Sequence, residues 1–153
     1  MDADIRIVPT QRVLCAERTG EVDRAVKESW DALYRFANPR GLWRTDVCYG
    51  VSGDEPADLP AGHIVYVAAV PVPDDLDVDA AEVSVRAIGG GRHAVFVHRG
   101  AHAGLGETYR RIVQEWLPAS GLRPRKSPTF ERYRDETGRA PGEAITEIFV
   151  PIE

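Results

Sequence analysis

Residues 93–117 read HAVFVHRGAHAGLGETYRRIVQEWL, and this stretch decides the fold. The run HAVFVHR is mostly apolar and predicts a strand that ends at Gly100. We expect the helix that follows to end at Pro118 and Gly121. Its large apolar side chains recur at the spacing of one helix face, at Leu105, Tyr109, Ile112, Val113 and Trp116.

Strand patterns flank this stretch on both sides. VSVRAI (83–88) precedes it, and the glycines at 89–91 predict a hairpin turn between this piece and the next strand. TFERYRD (129–135) and ITEIFVPIE (145–153) follow the helix as two further strands, with a loop at 136–143 between them. The second half of the chain is therefore predicted to run strand–helix–strand–strand.

The first half has the same order of elements. Short strands are predicted at 5–8 and 13–16, and Pro39 and Gly41 are expected to end the helix that follows them. The helix and the two later strands are EVDRAVKESWDALYRFA (21–37), DVCYGVSGDEP (46–56, running into a turn) and HIVYVAAVPV (63–72).

Turn residues coincide when the two halves are overlaid at an offset of 80 residues. The coinciding pairs are Gly20 with Gly100, Gly41 with Gly121, and Pro71 with Pro151. Two copies of one supersecondary unit would show this spacing, and one copy alone has too few layers to enclose a core. We therefore predict an α+β fold in one domain, 1–153, with halves near 3–73 and 81–153. The pseudo-two-fold pair would form one antiparallel sheet with both helices on one face.

Composition limits the class of protein. A chain of 153 residues with 43% hydrophobic and 28% charged residues is typical of one soluble globular domain. The net charge of −5 argues against a nucleic-acid partner, since phosphate contacts need basic surface. The sequence has neither an apolar run of membrane-spanning length nor a signal-peptide pattern. We expect a cytoplasmic protein with reduced thiols at Cys15 and Cys48.

The second half resembles the GyrI-like effector-binding domain. The resemblance rests on motifs in a defined order: HRG at a strand end, a helix closing in EWLPASG (115–121), FERY (130–133) and TEIFVPI (146–152). RVLCAERTG (12–20) and PRGL (39–42) match more loosely in the first half. The resemblance implies the tandem fold and a small-molecule pocket between the units, on the sheet face away from the helices. We expect a stand-alone form without a helix-turn-helix module.

The resemblance implies three functions. The first is binding of an apolar or cationic aromatic small molecule, in toxin or drug sensing or resistance. The second is a hydrolase that opens the strained cyclopropane ring of DNA-alkylating toxins with a pocket glutamate. The third is a protein partner such as DNA gyrase. No cofactor is expected, and His98 and His102 lack the third ligand that a metal site would need.

Glu147 interrupts the most apolar strand of the chain. Strand side chains alternate between faces, so if Ile148 faces the helices, Glu147 and Phe149 face the other way. If Phe130 belongs to the core, Glu131 and Tyr133 are expected on that same opposite face, where two carboxylates and two aromatic rings would line the pocket. The alternative is that both glutamates are solvated charges on a half-buried sheet.

Four more aromatic residues are candidates for the ligand site: Tyr109, Tyr66, Tyr49 and Trp30. The resemblance implies that Tyr109 lies near the ligand, whereas Trp30 and Tyr66 fit core packing equally well. In the hydrolase alternative, Glu147 and Tyr109 would be catalytic, with the glutamate orienting a water molecule. Exposed sheet edges would also permit a homodimer.

Overall fold

The structure is a computed structural model that describes residues 1–52, 56–134 and 143–153. Residues 53–55 of the predicted turn, residue 135 of the predicted strand 129–135 and residues 136–142 of the predicted loop lie outside the described residues. The described residues form one eight-stranded antiparallel sheet with two helical segments, as the sequence predicted. The strands are β1 (Asp4–Val8), β2 (Gln11–Glu21), β3 (Val47–Ser52), β4 (His63–Pro71), β5 (Ser84–Ile88), β6 (Gly91–Arg99), β7 (Phe130–Arg134) and β8 (Ile145–Pro151).

The sheet order is β1-β6-β8-β7-β3-β4-β2-β5. β1 and β5 occupy equivalent positions in the two halves, because residues 84–88 lie 80 positions after residues 4–8. Each of these strands pairs with the second strand of the other half, β1 with β6 and β5 with β2. Each strand of one half has a counterpart in the other half: β1 and β5, β2 and β6, β3 and β7, β4 and β8. When every strand is replaced by its counterpart, the sheet order read from one edge becomes the order read from the other edge. The exact division into halves 3–73 and 81–153 stays a prediction.

The link between β5 and β6 differs from the prediction. The sequence predicted a hairpin at the three glycines, but β5 and β6 pair with different strands. Gly89 and Gly90 instead cross the link between β1 and β2, and the Gly90 N–H donates to the Val8 carbonyl at 3.0 Å. A Cβ at Gly89 would lie 2.4 Å from the Pro9 carbonyl oxygen, and its φ is +77°. The glycines allow the two backbone segments to cross at this short distance, because they have no side chains.

The sheet is curled, and both of its faces are buried. On the inner face, Val13 and Ile88 from one end of the sheet join Val95 and Phe149 from the other end in one apolar cluster. The outer face carries the helices. α1 (Val22–Ala37) packs Leu33 and its neighbours on β2 and β4, and the second helix (105–120) packs on β6 and β8. An apolar residue in a strand therefore does not show by itself which face it occupies.

The helices follow the predicted ends only in part. α1 ends at Ala37 and a 3-10 turn, Asn38–Arg40, leads to Gly41, as predicted. The second helix begins as α2 (Leu105–Arg111), widens into a π-helical turn (Ile112–Trp116) and ends as α3 (Leu117–Ser120), so Pro118 does not end it. The wider turn rotates the helix face, and Val113, predicted to face the core, is 59% exposed.

The described residues contain no helix that is both long and apolar enough to cross a lipid bilayer. The outermost strands are β1 and β5. β1 presents Ile5 and Ile7, which are 41% and 74% exposed. Homodimer formation through such an edge stays a prediction.

Candidate functional site

A groove opens between the two helices on the outer face of the sheet. α1 covers β2 and β4, and the second helix covers β6 and β8, so the middle strands β3 and β7 lie between them. The register pairs Gly50 with Glu131 and with Ala68, and pairs Glu131 with Ile148, a residue packed under the second helix. Glu131 therefore faces the helices. We call this space the interhelix groove; its floor is Cys48, Gly50, Tyr66, Glu131 and Tyr133.

Glu131 lies at the end of a chain of tyrosine hydroxyls. The Tyr133 hydroxyl donates to Glu131 Oε2 at 3.1 Å, and the Tyr66 hydroxyl lies 3.3 Å from that of Tyr133. Tyr109, from the second helix, lines the same cavity as Glu131. These donors are neutral, so they orient the carboxylate without cancelling its charge.

Gly50 makes room for the two tyrosine hydroxyls. A Cβ at this position would lie 2.5 Å from the Tyr133 hydroxyl and 3.0 Å from that of Tyr66. A glycine inside an apolar strand commonly marks such a close approach, and CYGV carried this signal in the sequence. Gly50 is therefore a residue of the site that the pattern of carboxylates and aromatic residues does not indicate.

Aromatic rings form the walls of the interhelix groove. The Trp30 ring, from α1, lies 6.4 Å from the rings of both Tyr66 and Tyr133. Two cavities adjoin at Tyr66, one of about 580 Å³ and one of about 400 Å³. The larger is lined by Gly50, Val51, Ser52, Ile64, Val65, Tyr66, Tyr109 and Glu131, and the smaller by Val26, Trp30, Thr45, Cys48, Tyr66, His102, Tyr133 and Arg134.

Two histidines lie closer to the groove than the sequence indicated. His98 is 9% exposed, and its ring nitrogens hydrogen-bond to Thr108 Oγ1 at 2.8 Å and to the Ala101 carbonyl at 2.9 Å. These bonds tie the end of β6 to the start of the second helix. The exposed ring of His102 follows, 5.4 Å from the Tyr133 ring. The HRGAH run, at a strand end before a helix, was the available signal.

Burial raises the pKa of Glu131 above its ordinary value. The hydrogen bond from Tyr133 and the nearby side chains of His102, His98 and Tyr109 oppose this rise without cancelling it. Burial likewise raises the pKa of Tyr66 to about 12, so its hydroxyl stays protonated at neutral pH. The charged form of such a half-buried carboxyl group is stabilised when a cation binds beside it. The group can also exchange a proton with a bound molecule.

Glu147 lies on the other side of the sheet, bound by arginines. Arg132 donates to it through Nε and Nη2, both at 2.9 Å, Arg134 Nε donates at 3.1 Å, and Arg6 Nη1 lies 3.9 Å away. Burial by itself raises the pKa of Glu147, but the Arg132 and Arg134 hydrogen bonds and charges outweigh it and hold the pKa below its ordinary value. The carboxylate in the apolar strand is thus neutralised by the protein itself.

The prediction that Glu131 and Tyr133 share a face with Glu147 and Phe149 is wrong. Phe130 does belong to the core, but to the inner core, where its ring stacks on Phe149 at 4.6 Å. The side chains of β7 therefore point to the opposite faces from those expected, so Glu131 and Tyr133 face the helices. The carboxylate lined by tyrosines is therefore in the interhelix groove, whereas the resemblance implied a pocket on the opposite face.

The eight predicted site residues therefore divide into two groups. Glu131, Tyr133, Tyr109, Tyr66 and Trp30 come together in the interhelix groove. Glu147, Phe149 and Tyr49 lie on the inner face or at its rim. Within the described part of the chain, no group of three or more His, Cys, Asp or Glu side chains is arranged to hold a metal ion.

Comparisons with known proteins agree with this architecture. The chain matches the family described as the GyrI-like small molecule binding domain over residues 1–153. A DNA gyrase inhibitor of Edwardsiella piscicida is 31% identical over 123 residues, which cover 80% of this chain and 69% of that protein.

Two solved structures share the fold at low sequence identity. The protein SAV2435, bound to tetraphenylphosphonium, superposes with a TM-score of 0.59 at 19% identity, covering 100% of this chain and 94% of that one. A hydrolase from Listeria innocua superposes with a TM-score of 0.62 at 16% identity, covering 99% and 91%. The family match extends over the whole length of the sequence. The chain belongs to the GyrI-like small molecule binding domain family.

Proposed function

We propose that the interhelix groove binds a lipophilic aromatic cation, with Glu131 as its counter-ion. The observation that carries the proposal is a half-buried carboxylate whose hydrogen bonds within the groove come from tyrosine hydroxyls, beside the aromatic rings of Trp30 and Tyr66. Aromatic faces and a carboxylate together attract a cation whose charge is spread over apolar groups. The tetraphenylphosphonium bound to SAV2435 has this chemistry.

The size of the groove supports the same class of ligand. The two adjoining cavities, about 580 and 400 Å³, are within the range of small-molecule sites. Tyr66 lines both cavities, so a ligand with one aromatic arm in each cavity would contact its side chain. The acidic net charge of the protein, −5, also favours a cation over an anion.

Calorimetric titration tests this proposal with two probes of similar shape. Methyltriphenylphosphonium carries a positive charge, and triphenylphosphine oxide, with an oxygen in place of the methyl group, is neutral. We expect the cation to bind at least about tenfold more tightly, because only the cation is attracted electrostatically to the Glu131 carboxylate. Equal affinity for the two probes would show that the carboxylate is not the counter-ion.

A hydrolase is the second candidate function. The raised pKa of Glu131 and its contacts with Tyr133 and Tyr109 suit a general base that removes a proton from water. The water oxygen would attack a cyclopropane carbon, the strained carbon–carbon bond would break, and the ring-opened carbon would take up a proton. Incubation with a cyclopropane-bearing electrophile, followed chromatographically, separates the two functions: a hydrated product that disappears with Glu131→Gln supports the enzyme.

Protein partnership is a third candidate, favoured by the 31% identity to a relative named as a DNA gyrase inhibitor. The test is a supercoiling assay with purified gyrase and increasing amounts of this protein. Loss of supercoiling at a stoichiometric ratio supports the partnership, and unaltered supercoiling at a large excess excludes it for that enzyme.

A role in toxin or drug sensing or resistance would follow from ligand capture in the cytoplasm. Neither Cys15 nor Cys48 forms a disulfide within the part of the chain that the structure describes, which agrees with a reducing compartment. Expression in a susceptible host, with growth measured against lipophilic cations, tests this role. Protection that Glu131→Gln removes is the expected result.

A further inference from the structure

Another cavity lies on the opposite side of the sheet from the interhelix groove. It has a volume of about 160 Å³ and opens where the crossing links between β1 and β2 and between β5 and β6 approach β7. Gln11, Tyr49, Ile88, Phe130, Arg132 and Phe149 line it. We call it the inner cavity. None of the residues given for the interhelix groove lines it.

The walls of the inner cavity are flat aromatic surfaces. Phe130 and Phe149 stack with their ring planes 6° apart, and Tyr49 meets Phe130 edge-on at 5.9 Å. All three are nearly fully buried. An apolar cavity of about 150 Å³ in another protein holds one benzene ring, so this volume suits a single aromatic ring.

Arginine provides the charged group of the inner cavity. Arg132 lines the cavity, and its guanidinium carbon lies 5.0 Å from the centre of the Phe149 ring. Glu147 accepts from Nε and Nη2 of this guanidinium, which fixes its orientation and leaves the Nη1 donors out of the pair. Arg132 is thus held in place by a partner outside the cavity lining.

Among the described residues, the charge around Glu147 is unbalanced toward positive. Within this part of the chain, three guanidinium groups, those of Arg6, Arg132 and Arg134, share two carboxylates, Glu147 and Asp4. This cluster therefore carries an excess of positive charge, although the protein as a whole is acidic. An anion with a planar, bidentate head group matches the remaining arginine donors best.

We propose that the inner cavity binds a small one-ring aromatic carboxylate, its ring against Phe149 and Tyr49 and its carboxylate on Arg132. The protein would then carry two small-molecule sites of opposite charge preference, one on each face of the sheet. This second site does not depend on the function proposed for the interhelix groove. The volume of the inner cavity limits the ligand to about one aromatic ring, and the fixed guanidinium of Arg132 favours a carboxylate.

The test uses the full chain, with amide signals followed by NMR during titration with benzoate, neutral benzamide and the two-ring anion 2-naphthoate. We expect benzoate to shift the signals of Tyr49 and Phe149 and to bind about tenfold more tightly than benzamide, since benzamide lacks the charge. Naphthoate should bind more weakly than benzoate because its second ring exceeds the volume. Saturating tetraphenylphosphonium should leave the benzoate shifts unchanged.

Arg132→Lys gives a second measurement. It keeps a positive charge beside Glu147 but removes the Nη1 donors that the benzoate carboxylate would use, so benzoate affinity should fall about tenfold while thermal unfolding shows an intact fold. If this variant does not fold, the comparison of benzoate with benzamide on the unaltered protein still tests whether the inner cavity prefers an aromatic carboxylate. Equal shifts with benzoate and benzamide, or shifts centred on Glu131 and Tyr133, would overturn the proposal.

Discussion

Glu147→Gln should lower stability, because Glu147 binds arginines of the protein itself. Its side chain is 12% exposed and that of Arg132 is 23% exposed, and both bonds of the fork are 2.9 Å long. Exposed ion pairs contribute about 0–1 kcal/mol, whereas removing one partner of a fully buried pair costs about 3–5 kcal/mol. This pair lies between those cases, so we expect a loss of about 2 kcal/mol at pH 7, which lowers Tm by roughly 4–8 °C.

The pH dependence identifies the origin of this loss. The pKa of Glu147 is held below its ordinary value of 4.5, so the folded state binds its proton less tightly than the unfolded chain does. The stabilisation is therefore complete above about pH 4.5 and is lost as pH falls through the lower, folded-state pKa. Urea unfolding followed by circular dichroism, from pH 7 downward, should show the difference between wild type and Glu147→Gln narrowing in this acidic range.

Asp4→Asn provides the matched control. Asp4 also pairs with an arginine, Arg6, but its side chain is 64% exposed. Its replacement should cost less than about 1 kcal/mol. The reasoning fails if Glu147→Gln is as stable as wild type at pH 7, or if its deficit stays constant throughout the acid titration.

Three further substitutions test the groove and the glycine crossing. Glu131→Gln should raise the free energy of unfolding at pH 7, because burial raises the pKa of Glu131; the gain should vanish below about pH 4.5, where the acid is protonated in folded and unfolded chains alike. Gly50→Ala should cost about 1–3 kcal/mol and weaken ligand binding, since the new methyl group displaces the tyrosine hydroxyls; an unchanged Tm would contradict this. Gly89→Ala should lower the free energy of unfolding clearly more than Gly62→Ala. Both glycines have φ near +78°, but only the Cβ at Gly89 meets a backbone atom, the Pro9 carbonyl oxygen. Equal losses of stability in the two variants would show that the crossing imposes no constraint.

The order of elements could be predicted because turn residues and periodicity are local signals. Gly41 and Gly121 both follow helices and both have positive φ, 69° and 74°, as their coincidence at an offset of 80 suggested. The partners of β5 and β6 could not be predicted in this way. Three glycines permit a hairpin and a crossing link equally, and the choice depends on pairing between distant strands.

The side of the sheet on which Glu131 lies could not be predicted from the sequence, for a related reason. FERYR alternates, so Phe130 and Glu131 occupy opposite faces, but either face of a curled, doubly covered sheet can bury a phenylalanine. The arginines around Glu147 were likewise hidden, because Arg132 opposes it only through the register of β7 with β8. The resemblance implies that Tyr109 lies near the ligand; Tyr109 lines the cavity beside Glu131, and its contact with a ligand stays a prediction.

The most direct test of the central claim compares the affinity of one aromatic cation for two variants, Glu131→Gln and Glu147→Gln. Calorimetry with tetraphenylphosphonium should show a loss of about 30-fold or more for Glu131→Gln, equivalent to about 2 kcal/mol, the low end for removing one partner of a buried charge pair. Affinity should stay within about threefold of wild type for Glu147→Gln. The opposite result, with affinity lost at position 147 and kept at position 131, would contradict the account.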